Sequence, residues 1–271
     1  MTRRLEGQVA WISGGASGIG EGVAELFAQE GAKVAIADVK TDLGREVAER
    51  IERGGDEALF TETDVSQEAQ VRASIEATVE RFGGLHTLVN CAGIVHVGPL
   101  HEYSEAAWDR LMGVNLKSIF LSFKHGLPHL RHQRRSYIVN IASVSSFVGQ
   151  AATPAYTTSK HAVLGLSRSI ALDYASDGLR CNSVCPGITV TPLLRYHMGQ
   201  DGDFDGALRD RLRRVPTGAA LYPRDVAKAV RFFACEDSAG ITGTSLVVDG
   251  GYTATAEWET AGSAKFMEGA L

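Results

Sequence analysis

The sequence predicts an α/β chain built on a doubly wound parallel sheet of about seven strands, with helices on both faces. Three observations carry this expectation. Short β-rich apolar runs recur along most of the chain, amphipathic helical segments fill the intervals, and glycines follow several of those segments where the chain must turn back into the sheet. The 271 residues are 44% hydrophobic and 22% charged, enough to bury a sizeable core, and no linker-like stretch divides them.

The strands expected in order are Val9 to Ile12, Val34 to Ala37, Ala58 to Phe60, Thr87 to Val89, Ile138 to Ile141, Arg180 to Val184 and Leu246 to Val248. Strands in a parallel sheet are covered on both faces, which favours such short apolar runs alternating with helices. Between them, Val23, Leu26 and Phe27, then Val47, Ala48 and Ile51, then Val71, Ile75, Val79 and Phe82 recur at helical spacing. Gly31, Gly54-Gly55 and Gly83-Gly84 follow these segments, where a left-handed C-terminal cap favours glycine. Two stretches break the rhythm. Residues 187–218 are rich in charge and glycine, and a segment of that length reads as a substrate lid, with a surface excursion as the alternative. Residues 253–271 read as a C-terminal tail beyond a domain spanning 1–252. Its Trp258 and Phe266 would either close a neighbouring pocket or belong to a disordered end.

Several function classes are disfavoured at once. A formal net charge of −5 offers no attraction to a phosphate backbone, so nucleic acid is not an expected partner. No apolar run reaches membrane-spanning length, and Glu6-Gly7 follows the two early arginines where a signal segment would be apolar, so a cytoplasmic location is expected. Cys91, Cys181, Cys185 and Cys235 lie in apolar stretches, and Cys181 and Cys185 on one strand would stand roughly 13 Å apart, too far to bridge. Free thiols in a reducing compartment follow. His125, His129 and His132 are interrupted by Pro128 and lack neighbouring acidic or thiol ligands, so no metal is expected. No G-x-S-x-G elbow accompanies Ser143, which argues against an acyl-transfer triad.

The chemistry begins after the first strand. Ser13-Gly14-Gly15-Ala16-Ser17-Gly18-Ile19-Gly20 is a glycine-rich turn running into an amphipathic helix, where backbone can approach a pyrophosphate and the helix N-terminus can hold its charge. No Gly-Lys-Ser/Thr is present, which argues against a P-loop. Asp38, with Val39 beside it, ends the second strand eighteen residues beyond Gly20, where a carboxylate accepts bonds from ribose hydroxyls and repels a 2′-phosphate. NAD is therefore expected over NADP, with Lys40 close by; a structural Asp38 capping the next helix is the competing reading.

Ser143 ends a later strand, and Tyr156 and Lys160 stand four apart at the start of a long helical pattern from Tyr156 to Ala175, which puts them on one helix face. Moving a hydride to or from a carbon bearing oxygen needs a partner for the oxygen's proton, and a tyrosine serves if its pKa, normally about 10, is lowered. Lys160 is expected to lower it by Coulomb attraction, while Ser143 orients the substrate oxygen.

At these residues the chain resembles the short-chain dehydrogenase/reductase family over roughly residues 6 to 252. The family turn Thr-Gly-x-x-x-Gly-x-Gly is matched from Ser13 to Gly20 with Ser for Thr, and its catalytic set is matched by Ser143, Tyr156 and Lys160. The resemblance implies a Rossmann fold and adds Asn115 as the holder of a proton-relay water, Asp64 and Val65 as adenine contacts, and Pro186, Gly187, Ile188, Thr189 and Thr191 at the nicotinamide amide. It also implies cofactor contacts at Asn90, Ala92 and Gly93, although Cys91 stands where the family has a second asparagine; Val248-Asp249-Gly250-Gly251 matches near the end. Family members resembling this chain are usually homotetramers, pairing here through the Tyr156 helix and residues 224–235.

The expected function is an NAD-dependent oxidoreductase acting on a secondary alcohol or ketone. His96, Ser145, Gln150, Leu193, Tyr196 and His197 are the substrate-pocket candidates, and their mix of groups suits a sugar, cyclitol, dihydrodiol or hydroxysteroid, with core or solvent-facing roles open for each. The alternatives are an NADPH-dependent 3-oxoacyl-thioester reductase, which Asp38 disfavours, and a dinucleotide-sensing protein without turnover.

Overall fold

The computed structural model describes residues 3–198 and 202–254. At its centre β1 (Val9–Ser13), buried at every position, pairs in parallel with β2 (Lys33–Asp38) on one side and β4 (Thr87–Asn90) on the other. β3 (Ala58–Glu62) extends the β2 side; β5 (Ser136–Ile141), β6 (Leu179–Pro186) and β7 (Ser245–Val248) extend the other. All pairings are parallel, in the order β3-β2-β1-β4-β5-β6-β7. The seven expected strands are all present, lengthened by up to two residues at an end because backbone pairing continues past the apolar run.

Helices cover both faces. One face packs α1 (Gly18–Gln29), α2 (Thr41–Arg53) and α9 (Pro223–Phe233) around Val23, Phe27, Val34, Ile36 and Val230; the other packs α3 (Glu68–Phe82), α5 (Ser118–Leu130) and α6 (Pro154–Asp173) around Trp11, Ile75, Leu88, Leu121 and Ile138. Each such fully buried side chain contributes about 1.5–3 kcal/mol of transfer free energy. Trp11 is wholly enclosed, and its indole Nε1 donates to Ser74 Oγ at 2.7 Å, so the one polar atom of the ring is satisfied in the core. Gly31, Gly55 and Gly83 take φ of +94°, +89° and +82° after α1, α2 and α3, as the caps required; Gly54 and Gly84 do not.

Two features go beyond the sequence reading. The 187–218 stretch contains α7 (Pro192–Met198) and α8 (Phe204–Leu212), the second started by Asp203, whose carboxylate accepts from Gly206 N at 2.9 Å. Between α4 (Glu105–Met112) and α5 the chain makes a π-helical turn, Gly113–Lys117, and Asn115 sits in it. Trp258 and Phe266 lie outside the described residues. Among those described, no helix is long and apolar enough to cross a membrane.

Candidate active site

β1 and β4 are adjacent in the sheet but their connections run to opposite sides, so the loops leaving their carboxyl ends part and open a crevice. The glycine turn lies on one side of it. Gly14 and Gly18 take φ of +67° and +61°. A Cβ on Gly14 would stand 2.7 Å from Ala92 Cα, and one on Gly20 would stand 2.1 Å from the Gly14 carbonyl oxygen, so backbone fills the space that side chains would need. Ser17, at the N-cap of α1, makes no side-chain capping bond, which leaves the first amides of the helix available to an anion. These features fit the pyrophosphate of a dinucleotide.

Asp38 lies at the rim of this cradle and braces it. Its Oδ2 accepts from Ala16 N and its Oδ1 from Lys40 N, both at 3.0 Å, while Lys40 Nζ reaches Ser17 Oγ at 3.4 Å. The carboxylate is not an N-cap, since α2 starts from Lys40 without a side-chain cap. Gly14, Ser17, Gly18, Ile19, Gly20, Asp38, Val39, Asp64, Val65, Ala92 and Gly93 all line one chamber of the crevice. Arg110 joins them from α4, donating to Asp64 Oδ2 and to Ser66 Oγ at 2.8 Å each. Burial pushes the Asp64 carboxyl up, but hydrogen bonds from Ser66 and Arg110 outweigh it and hold the group below the usual carboxylate range.

A second, contiguous chamber holds Ser143, Tyr156 and Lys160 together with Pro186, Gly187, Ile188, Thr189 and Thr191. Strand β5 delivers Ser143 and α6 delivers the other two. Pro154 at its first turn fixes where α6 starts, and the four-residue spacing lays the Lys160 ammonium 5.6 Å from the centre of the Tyr156 ring. Lys160 is buried and donates to the Ile141 carbonyl at 2.7 Å. Ser143 Oγ accepts from Ser145 N at 3.1 Å, and Ser145 Oγ donates to Gln150 Oε1 at 2.9 Å. A polar ladder pins α6 to the sheet: Asn90 Nδ2 donates to Asn140 Oδ1, Asn140 Nδ2 to Ser167 Oγ, and Ser122 Oγ to Asn90 Oδ1, each at 2.8 Å.

Burial dominates the electrostatics. It lowers Lys160 from 10.5 to about 8. It raises the Tyr156 phenol above its ordinary value, and hydrogen bonding with Ser143 only partly opposes this. The expected lowering of Tyr156 by Lys160 is therefore not what this geometry produces; desolvation of the phenolate sets the direction of the shift. The Cys91 thiol, at the floor of both chambers, is pushed up to about 12 by burial despite Lys160 nearby, which makes it a poor nucleophile.

Four site expectations change. Asn90 turns its side chain into the sheet ladder, because the register sets it opposite Asn140, and does not face the crevice. Asn115 spends its amide on the exit from β4: Oδ1 accepts from Ile94 N at 2.8 Å, and Nδ2 donates to Ile94 O and Ser159 Oγ at 3.0 and 3.1 Å. Its side chain thus positions the strand exit against α6. His96 is exposed and packs edge-on to Tyr103, whose hydroxyl donates to the His96 carbonyl. Tyr196 lines the glycine-turn chamber rather than the Tyr156 chamber, since α7 borders both and turns different residues to each. Ser145, Gln150, Leu193 and His197 do line the Tyr156 chamber. Arg110, Arg211, Arg214 and Tyr252 line the crevice without having been singled out in the sequence; the i, i+3 arginine pair was the available signal for two of them. Among the described residues no three His, Cys, Asp or Glu side chains converge to hold a metal.

The chain is similar to known dehydrogenases and reductases. A family model described as enoyl-(acyl carrier protein) reductase matches residues 14–253. The 2-(R)-hydroxypropyl-CoM dehydrogenase of Xanthobacter autotrophicus is 41% identical over 252 residues, covering 91% of this chain and 99% of that protein. The 2,5-dichloro-2,5-cyclohexadiene-1,4-diol dehydrogenase of Sphingobium indicum is 37% identical, covering 93% and 99%. Among solved structures, levodione reductase superposes with a TM-score of 0.90 at 31% identity, covering 93% of this chain and all of that one.

Proposed function

Since the chain belongs to the short-chain dehydrogenase/reductase family and is a nicotinamide-dependent oxidoreductase, we propose that it uses NAD to interconvert a small hydroxylated, cyclic secondary alcohol and its ketone. The observation that carries this reading is one continuous crevice joining an anion-ready glycine turn, with a carboxylate at its ribose end, to a phenol, an ammonium and a hydroxyl.

A bound nicotinamide supplies the hydride acceptor or donor. Tyr156 takes the alcohol proton in oxidation and returns it in reduction, Ser143 holds the substrate oxygen beside the phenol, and Lys160 stabilises the phenolate as it forms. Because burial holds the resting phenol protonated, Tyr156 stands ready as the acid for ketone reduction, and alcohol oxidation gains as pH rises. Asp38 favours NAD by repelling a 2′-phosphate. The remaining cofactor contacts follow the chamber linings given above, and Asn115 acts by holding the β4 exit in place. A homotetramer and a cytoplasmic setting complete the proposal by analogy with the family, as does the lid role of residues 187–218.

The test is Tyr156→Phe. Turnover should fall by about a hundred- to ten-thousand-fold while NADH binding, read by fluorescence titration, stays within about twofold. Wild type that binds NADH yet oxidises no alcohol in a panel of sugars, polyols, dihydrodiols and steroids, with either dinucleotide, would instead favour a sensing protein.

A further inference from the structure

The chamber that holds Tyr156 also has a wall that proton and hydride transfer do not use. Arg211 and Arg214 line that wall beside His197 and Tyr252, and no aspartate or glutamate lines the chamber at all. This is a concentration of positive charge in a chain whose net charge is −5. Among the described residues neither guanidinium has an ion-pair partner, whereas Arg213 between them pairs with Asp210 at 3.8 Å. Arg214 stacks its guanidinium 5.8 Å from the centre of the Tyr252 ring. Arg211 is half-buried and Arg214 exposed, and two cations lining one chamber without a counter-charge leave positive charge that an incoming anion neutralises.

The wall is wired to the reacting end. From Ser143, hydrogen bonds run through Ser145 to Gln150, and Gln150 Nε2 meets His197 Nε2 at 3.3 Å. Burial, and then the charge of Arg211, lower the His197 pKa, so the imidazole is neutral at physiological pH and the positive charge of the wall resides in the two guanidiniums. They do not serve the dinucleotide phosphates, because the glycine-turn chamber is lined by Lys40 and Arg110 and by neither of them.

We propose that the substrate carries an oxyanion, held by Arg211 and Arg214, at the end of the molecule remote from the carbinol that faces Tyr156. This deepens the alcohol dehydrogenase reading and rests on it. The anion takes no part in the transfer itself: the alcohol loses a hydride to nicotinamide and a proton to Tyr156, and the oxyanion sets where the carbinol carbon lies. A chamber of about 440 Å³, shared with the nicotinamide ring, limits the substrate to a small molecule.

The experiment compares matched secondary alcohols that differ only in a terminal carboxylate, sulfonate or neutral carboxamide, using wild type, the double variant Arg211→Leu/Arg214→Leu and the charge-keeping Arg211→Lys/Arg214→Lys. In wild type, kcat/KM should favour an acid over its amide by about ten- to hundred-fold. That ratio should fall at least tenfold in the leucine variant, through KM, and largely return in the lysine variant. Which acid is preferred, carboxylate or sulfonate, identifies the headgroup. A second readout needs no turnover: butyrate against butyramide in thermal melts of the NAD-bound protein, where only the acid should raise Tm, and only in wild type and the lysine variant. An acid-to-amide ratio near one in wild type, or equal ratios in wild type and the leucine variant, overturns the proposal. Failure of every alcohol sinks the dehydrogenase reading instead, and the thermal shift then decides whether the arginines bind an acid.

Discussion

Replacing Lys160 by methionine tests the central electrostatic claim without presupposing a substrate. The folded chain holds this amine with a pKa of about 8, against 10.5 for an ordinary lysine. Between those two values the unfolded chain binds a proton that the folded chain does not. Stability is therefore lost as pH falls through that window, and below pH 8 the penalty is fully present, amounting to about 3 kcal/mol at pH 7. Raising the pH to 9 should return about 1 kcal/mol of it. Lys160→Met has no such group, although it forfeits the hydrogen bond to the Ile141 carbonyl, a loss that does not vary with pH. Urea unfolding of both proteins at pH 7, 8 and 9, without dinucleotide, should show wild type gaining about 1 kcal/mol relative to the variant across the range, as the titrations common to both cancel. A difference constant to within about 0.3 kcal/mol would refute burial as the force on this lysine. Alcohol oxidation by the variant should fall at least about a hundredfold.

Three further substitutions have outcomes set by single distances. Asp38→Ser removes both the brace to Ala16 N and the negative charge at the ribose end, so KM for NAD should rise about tenfold and the NAD:NADP preference should narrow or invert in steady-state assays; an unchanged preference would reduce Asp38 to a structural residue. Gly20→Ala puts a methyl 2.1 Å from the Gly14 carbonyl, so the turn must open, with dinucleotide affinity down by about a hundredfold in NADH titration and about 1–3 kcal/mol of stability lost; normal affinity would show that the turn does not need its close approach. Gly165→Ala, in α6 with open space around the new methyl, should by contrast stabilise by about 1 kcal/mol and raise Tm in a thermal melt, and a lowered Tm would mean that something covers this position.

What the amino-acid order alone determined was whatever depends on neighbours in sequence. Seven apolar runs, their helical intervals and the capping glycines at 31, 55 and 83 are local signals, and all became the elements expected. The glycine turn was legible because Gly14, Gly18 and Gly20 are needed by the turn's own backbone, and Tyr156 and Lys160 because four residues make one helical turn. Tertiary structure alone decided the rest. Asn90 serves the sheet because the register sets it opposite Asn140; His96 and Tyr196 left the substrate chamber because the β4 exit and α7 set their directions; Arg211 and Arg214 entered it because the helices after β6 fold over the crevice. The sign of the Tyr156 shift was likewise out of reach. The attraction of a lysine four residues away can be read from spacing, but the desolvation opposing it is the sum of everything packed around the phenol, and that exists only once the chain has folded.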